Sequence, residues 1–176
     1  RCHTALSDLE VEHVLTKGKL YYVAYPIEGE EGSVVVATTR PETILGDVAI
    51  AVNPDDQENT GLVGKKVRVP MTDRIVPIIE DQMVDPSFGT GLVKITPAHD
   101  PNDFLVSERH ELKLIQVIDA DGRMNENAGP YKGMDRFEAR EAITRDIKAA
   151  GLLVKIEDHE HAIGHCYRCN TVLEPF

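Results

Sequence analysis

Apolar and polar positions alternate over short stretches, and the alternation predicts strands at residues 20–25, 34–38, 48–52, 66–69, 75–79, 92–96 and 115–118. The runs are rich in Val, Ile and Leu and are separated by Gly, Pro, Asn or Asp. Helical spacing is readable in two places. One helix starts at Asp135, with Glu138 three residues on as a capping-box partner, places Ala139, Ile143, Ile147 and Ala150 on one stripe, and stops at Gly151. The other starts after Asp100, with Pro101 suited to the first helical position, and runs towards His110. A short helical turn is expected after Arg40-Pro41. Many short strands with few helices favour a closed or nearly closed barrel over a doubly wound sheet. The ends, before about Gly32 and after Leu153, carry His, Cys and charge instead of a dense apolar pattern. The expected division is therefore a stalk over residues 1–32, a barrel over 33–153 and a second stalk over 154–176.

Composition narrows this picture. At 176 residues and 41% hydrophobic content there is enough apolar surface for one domain with a sizeable core, supplied by Val, Ile and Leu because aromatics make up only 5% and Trp is absent. The formal net charge of −11 has the wrong sign for bulk electrostatic capture of nucleic acid, so any nucleic-acid contact is expected to be local or assisted by regions outside the chain. No apolar run reaches membrane-span length and no signal peptide is visible. Three cysteines argue against a disulfide scaffold and for a reducing, cytoplasmic setting. The abrupt start at Arg1-Cys2, without Met, reads as an excised or processed piece.

Three constellations carry candidate chemistry. The first is Thr38-Thr39-Arg40-Pro41-Glu42-Thr43-Ile44-Leu45-Gly46-Asp47, where a strand ends in a polar turn bearing hydroxyls, a guanidinium and two carboxylates. Read as local structure alone, it is a capped turn with Thr39 as N-cap, Glu42 as its box partner and Asp47 on the surface. The second runs from Phe88 to Asp103, a Gly-rich loop feeding a strand that ends at a helix N-terminus. Lys94 and Thr96 share one strand face while Val93 and Ile95 take the other. Asp100 and Asp103 fall at N-cap and N3; one carboxylate suffices to cap, so the second suggests a cationic partner such as a substrate ammonium. His99 reads as a structural hydrogen-bonding residue. The third is Cys166-Tyr167-Arg168-Cys169, a zinc-knuckle spacing, with Cys2 and His3 at the opposite end of the chain. Either a His completes the site or a fourth ligand lies upstream of Arg1; a shared metal at Cys2, Cys166 and Cys169 would bring the termini together.

Together these segments, with Asp121-Gly-Arg-Met-Asn-Glu-Asn-Ala-Gly129 and His165-Cys-Tyr-Arg-Cys169, resemble the editing insertion shared by the valyl, isoleucyl and leucyl tRNA synthetases over nearly the whole chain. Leucyl relatives typically carry Asp at the place of Glu42 and apolar residues at the places of Lys94 and Thr96, and isoleucyl relatives Thr at Arg40 and Trp at Glu42. This chain has the valyl choice at all four. The resemblance implies a mainly β fold with peripheral helices: a closed six-stranded barrel-like editing domain plus a small β-ribbon or zinc-knuckle stalk formed by both termini. It also implies hydrolysis of threonyl-tRNA(Val), and of threonyl-adenylate as a further substrate, by a positioned water.

For the site, the resemblance implies that Asp103 holds the α-ammonium, with Asp100, Lys94 and Thr96 around the side-chain hydroxyl and ester. Thr43 and Arg40 would contact the terminal adenosine, Phe88 would form an apolar wall, Asp47 would support the turn, and Thr39 and Val93 would be further substrate-binding residues. Editing would need no cofactor, with structural zinc confined to the stalk. The partners implied are the 3′ end of tRNA(Val) and the rest of a synthetase in cis, with no membrane. An apolar synthetic pocket rejects threonine against valine only about 10²-fold, a figure established for valyl enzymes, so a second, hydrogen-bonding site is needed. The rival reading is a zinc-stabilised docking or binding module without catalysis. No ATP-binding signature is visible, so the chain is not expected to charge tRNA.

Overall fold

A computed structural model describes residues 11–173, except the side chains of residues 12 and 161. In chain order its strands and helices are β1 (Val11–Pro26), β2 (Ser33–Thr38), β3 (Ala49–Val52), β4 (Lys66–Arg68), β5 (Ile75–Glu80), β6 (Leu92–Ile95), α1 (Pro101–His110), α2 (Arg136–Ala149) and β7 (Leu153–Cys166). A 3-10 turn, Pro41–Gly46, links β2 to β3. Two sheets form: a three-stranded one in the order β2-β1-β7 and a four-stranded one in the order β4-β5-β3-β6. In the second, β3 runs parallel to β5 and antiparallel to β6. The expected closed barrel is not found. An isolated bridge, Ile27↔Val67, joins the sheets on one side. On the other, β2 and β6 approach without a ladder, tied by the Thr90 hydroxyl donating to the Val35 carbonyl at 2.6 Å.

The sheets pack face to face because alternate residues of each strand are apolar. Val23, Tyr25, Val34 and Val36 of the first sheet meet Ile50, Val52, Val67, Val76 and Ile78 of the second, and Ala139, Ile143 and Ile147 of α2 close the same core. The other face of β3 carries Ala49 and Ala51, which pack with Val84, Ile95 and Val106 of α1, so β3 is buried on both sides. Ala150, expected on the buried stripe of α2, is instead exposed at its C-cap.

Residues 115–118 do not form a ladder strand. The backbone N–H groups of Val117 and Ile118 donate to Nε2 of buried His99, at 2.9 and 3.3 Å, which occupies the donors a neighbouring strand would need. The outer half of β1 pairs with β7 from Val11↔Cys166 inward, so the two ends of the described chain do run together as a β-ribbon. Its inner half, including Leu20, Val23 and Tyr25, belongs to the core. Cys2 and His3 lie outside the described residues, and with them the expected shared zinc site. Among the described residues no group of three or more His, Cys, Asp or Glu is placed to hold a metal. None of the described helices is long and apolar enough to cross a membrane.

Candidate active site

The pocket lies where the two sheets part. It has a volume of about 190 Å³ and is walled by Ala37, Thr38 and Thr39 at the end of β2 and by Val93, Lys94 and Thr96 along β6. Arg40, Thr43, Phe88, His99, Asp100 and Asp103 complete the lining, with Leu20 from β1. Every residue the sequence assigned to substrate or chemistry is thus gathered here, except Asp47, which lies directly beneath.

Asp47 anchors the floor. It is fully buried, contrary to the surface position a capped turn would give it. The Tyr25 hydroxyl donates to its Oδ2 at 2.6 Å, Lys94 Nζ donates to its Oδ1 at 2.9 Å and the Thr96 hydroxyl donates to the same oxygen at 2.5 Å. Lys94 also donates to Thr96 Oγ1. Burial raises the Asp47 pKa, opposed by the Lys94 charge and by the donors, while burial and the adjacent carboxylate push the Tyr25 hydroxyl well above its ordinary range. A consequence for the ligand follows. The Thr96 proton is committed to Asp47, so Thr96 presents an acceptor to the pocket, while the ammonium of Lys94 retains donor capacity beyond these two bonds.

The turn that delivers Asp47 depends on Gly46. A Cβ there would lie 2.8 Å from the Ile115 carbonyl oxygen and 3.1 Å from Thr96 Cγ2. Gly46→Ala is expected to cost about 2 kcal/mol, as overpacking at a rigid contact does, and to disturb Thr96; a urea melt checks it, and an unchanged midpoint would contradict the contact.

The opposite wall is the start of α1. Asp100 is its N-cap, with Oδ1 accepting the N–H groups of Asn102 and Asp103 at 2.8 and 3.2 Å. Asp103 at N3 does not complete a capping box; its Oδ2 accepts the Thr96 N–H at 2.8 Å, pinning α1 to the end of β6. Burial raises the Asp103 pKa to about 7, against the Lys94 charge and the Thr96 N–H, and with help from the neighbouring Asp100 and Asp47 carboxylates. A buried carboxyl group of raised pKa, in a pocket beside a lysine, marks a candidate functional site.

The Arg40 turn departs from local expectation. Arg40, not Thr39, is the N-cap residue, and its N–H is taken by Thr38 Oγ1 at 3.1 Å. Glu42 is fully buried and, in place of capping, accepts a two-pronged bond from Arg140 of α2, Nε at 2.8 Å and Nη2 at 2.7 Å. Arg40 reaches across to the His99 carbonyl with Nη1 at 2.8 Å. Tyr25, Arg74 and Arg140 are site-supporting residues that sequence reading missed. Arg74 donates to the Leu45 and Asp47 carbonyls at 2.6 and 3.2 Å, and nothing in its local pattern marks it. The cysteine pair sits away from this pocket, where β7 ends: Cys166 is buried in the ribbon and Cys169 lies in the turn after it.

Residues 50–148 match the sequence model of the family described as leucyl-tRNA synthetase, editing domain. The chain belongs to this family. The editing domain is also 57% identical to the valine–tRNA ligase of Thermotoga maritima over 99% of its own length, 58% identical to that of Carboxydothermus hydrogenoformans over 99%, and 56% identical to that of Geobacter sulfurreducens over 100%. It spans 20% of the length of each of these ligases. The matched segment of the editing domain contains most of β3 and all of β6 and α1, and so Lys94, Thr96, Asp100 and Asp103.

Proposed function

We propose that this domain hydrolyses the ester of threonyl-tRNA(Val), as the editing module of a valine–tRNA ligase whose remaining chain brings the tRNA 3′ end to it. The observation that carries this reading is the pairing, in one small pocket, of a buried carboxyl group, Asp103, with a Lys94–Thr96 pair whose hydrogen-bonding polarity is preset by Asp47. Asp103 receives the α-ammonium, which favours its ionised form. The threonine hydroxyl donates to Thr96 and accepts from Lys94; valine offers neither and leaves both groups unmet. Asp100 lies beside the ester, Phe88 and Val93 supply apolar walls, and Thr39, Thr43 and Arg40 border the adenosine. A water held between these groups attacks the ester carbonyl, the bond to the ribose oxygen breaks, and that oxygen leaves with a proton. Threonine and tRNA are the products. Orientation of water against an activated ester supplies much of the rate, since positioning contributes roughly 7–11 kcal/mol in favourable cases. Threonyl-adenylate presents the same aminoacyl group and is a second candidate substrate.

The test is release of amino acid from threonyl- and valyl-tRNA(Val). Threonine is expected to be released at least about 100-fold faster, and Asp47→Asn/Lys94→Met to bring the ratio close to one by removing the hydroxyl's donor without stranding the buried Asp47 carboxylate. Equal rates on both esters would refute the specificity. Release of neither would favour the docking module.

A further inference from the structure

A chain of charges centred on the buried Glu42 runs from α2 to the wall of this pocket. Arg140, in the second turn of α2, grips both oxygens of Glu42 at 2.8 and 2.7 Å. Glu42 Oε1 lies 3.5 Å from Arg40 Nε, and Arg40 Nη1 donates to the His99 carbonyl at 2.8 Å. His99 immediately precedes Asp100, the N-cap of α1, and Asp103 is one turn further on. Glu42 is wholly shielded from solvent, so its carboxylate needs fixed cationic partners, and Arg140 supplies the fork geometry that holds it in one orientation.

Resting on the hydrolytic reading above, we propose that Arg140 is a positioning residue for editing: through Glu42 and Arg40 it fixes the start of α1, and with it Asp100 and Asp103, against Lys94 and Thr96. Arg40 then acts chiefly as a strut between the 3-10 turn and the His99 carbonyl. Neither end of the relay need touch the ester. Its effect falls on kcat, because a displacement of about 1 Å in a reacting constellation costs about 100-fold in rate.

Arg140→Met alone would strand a buried carboxylate and unfold some of the protein, so the informative variant is Glu42→Gln/Arg140→Met, which removes both charges together and is expected to keep the wild-type melting midpoint. Arg140→Lys keeps the charge without the fork, and Arg145→Ala, at an exposed position of the same helix, is the control. On threonyl-tRNA(Val) the double variant should lose about 100-fold in kcat with KM nearly unchanged, and Arg140→Lys about tenfold, as orientation rather than charge is at stake. A second readout is independent of turnover. Carbon NMR titration of the Asp103 carboxyl should find its midpoint, about 7 in the wild type, lowered in the double variant as α1 shifts and water enters. A folded double variant with wild-type kcat and an unmoved Asp103 midpoint would overturn the strut. A moved midpoint in a protein whose wild type releases no threonine would uphold the strut and sink the hydrolytic reading instead.

Discussion

Asp103→Asn is expected to abolish hydrolysis and, in the same protein, to raise the stability of the fold above neutral pH. Both effects come from one buried carboxyl group. Loss of the charge that receives the substrate ammonium removes one partner of a desolvated ion pair, an effect of about 100-fold or more in kcat/KM. For stability, the sign follows from the shift: the Asp103 pKa is about 7 in the folded state against 3.8 for the ordinary side chain. Below pH 3.8 both states carry the proton and the group is neutral in its effect. As pH rises from there, the unfolded chain ionises first, and stability is progressively lost until the folded-state group has ionised too, a little above pH 7. At pH 8 the wild type therefore carries the full penalty of a buried carboxylate. At about 1.4 kcal/mol per unit the ceiling is about 4 kcal/mol. Loss of an acidic residue from the first turn of α1 gives back about 0.5 kcal/mol. The partial offset between an amide and a carboxylate acceptor for the Thr96 N–H reduces the gain further, to a net of about 2 kcal/mol. Urea melts at pH 4 and pH 8 check this: the variant should match the wild type at the lower pH and exceed it at the higher. Equal stability at both would show that Asp103 titrates as an ordinary carboxylate. Activity of the wild type should rise around pH 7, where the folded-state carboxyl ionises, because the ammonium needs the ionised form.

The second large effect is expected at Asp47. Asp47→Ala deletes the acceptor for Tyr25, Thr96 and Lys94 at once and leaves an ammonium and a phenol buried without it. Removal of one partner of a buried ion pair costs about 3–5 kcal/mol. For a domain of this size that lowers the melting temperature by roughly 10 °C or more. The double change Asp47→Asn/Lys94→Met removes both charges and should recover most of the loss while remaining unable to discriminate threonine from valine. Were Asp47→Ala to melt within about 1 kcal/mol of the wild type, the three bonds would contribute little and Asp47 would not be the anchor of the pocket floor.

The contrast between these two aspartates shows how far sequence could reach. Asp103 was legible: it follows a strand, a Pro and an N-cap Asp, and it stood out as one carboxylate more than capping requires. Asp47 read as surface on local pattern. Its burial depends on Tyr25, 22 residues earlier, and Lys94, 47 residues later, arriving from different strands. Glu42 is the same case, since its partner Arg140 is 98 residues away on α2.

What the sequence determined by itself is six of the seven expected short strands and the two helices, together with the two segments that line the pocket. Side-chain periodicity and capping chemistry are local, and both segments sit at strand ends where the next element begins. Only the tertiary structure decided that the sheets stay open between β2 and β6, and that residues 115–118 give their N–H groups to His99 instead of to a strand. It alone also decided which buried charges face one another. The physical reason is that a strand's alternation reports which face is shielded from water but not which partner fills it. A buried charge is stabilised by groups that only the completed packing brings within hydrogen-bonding reach.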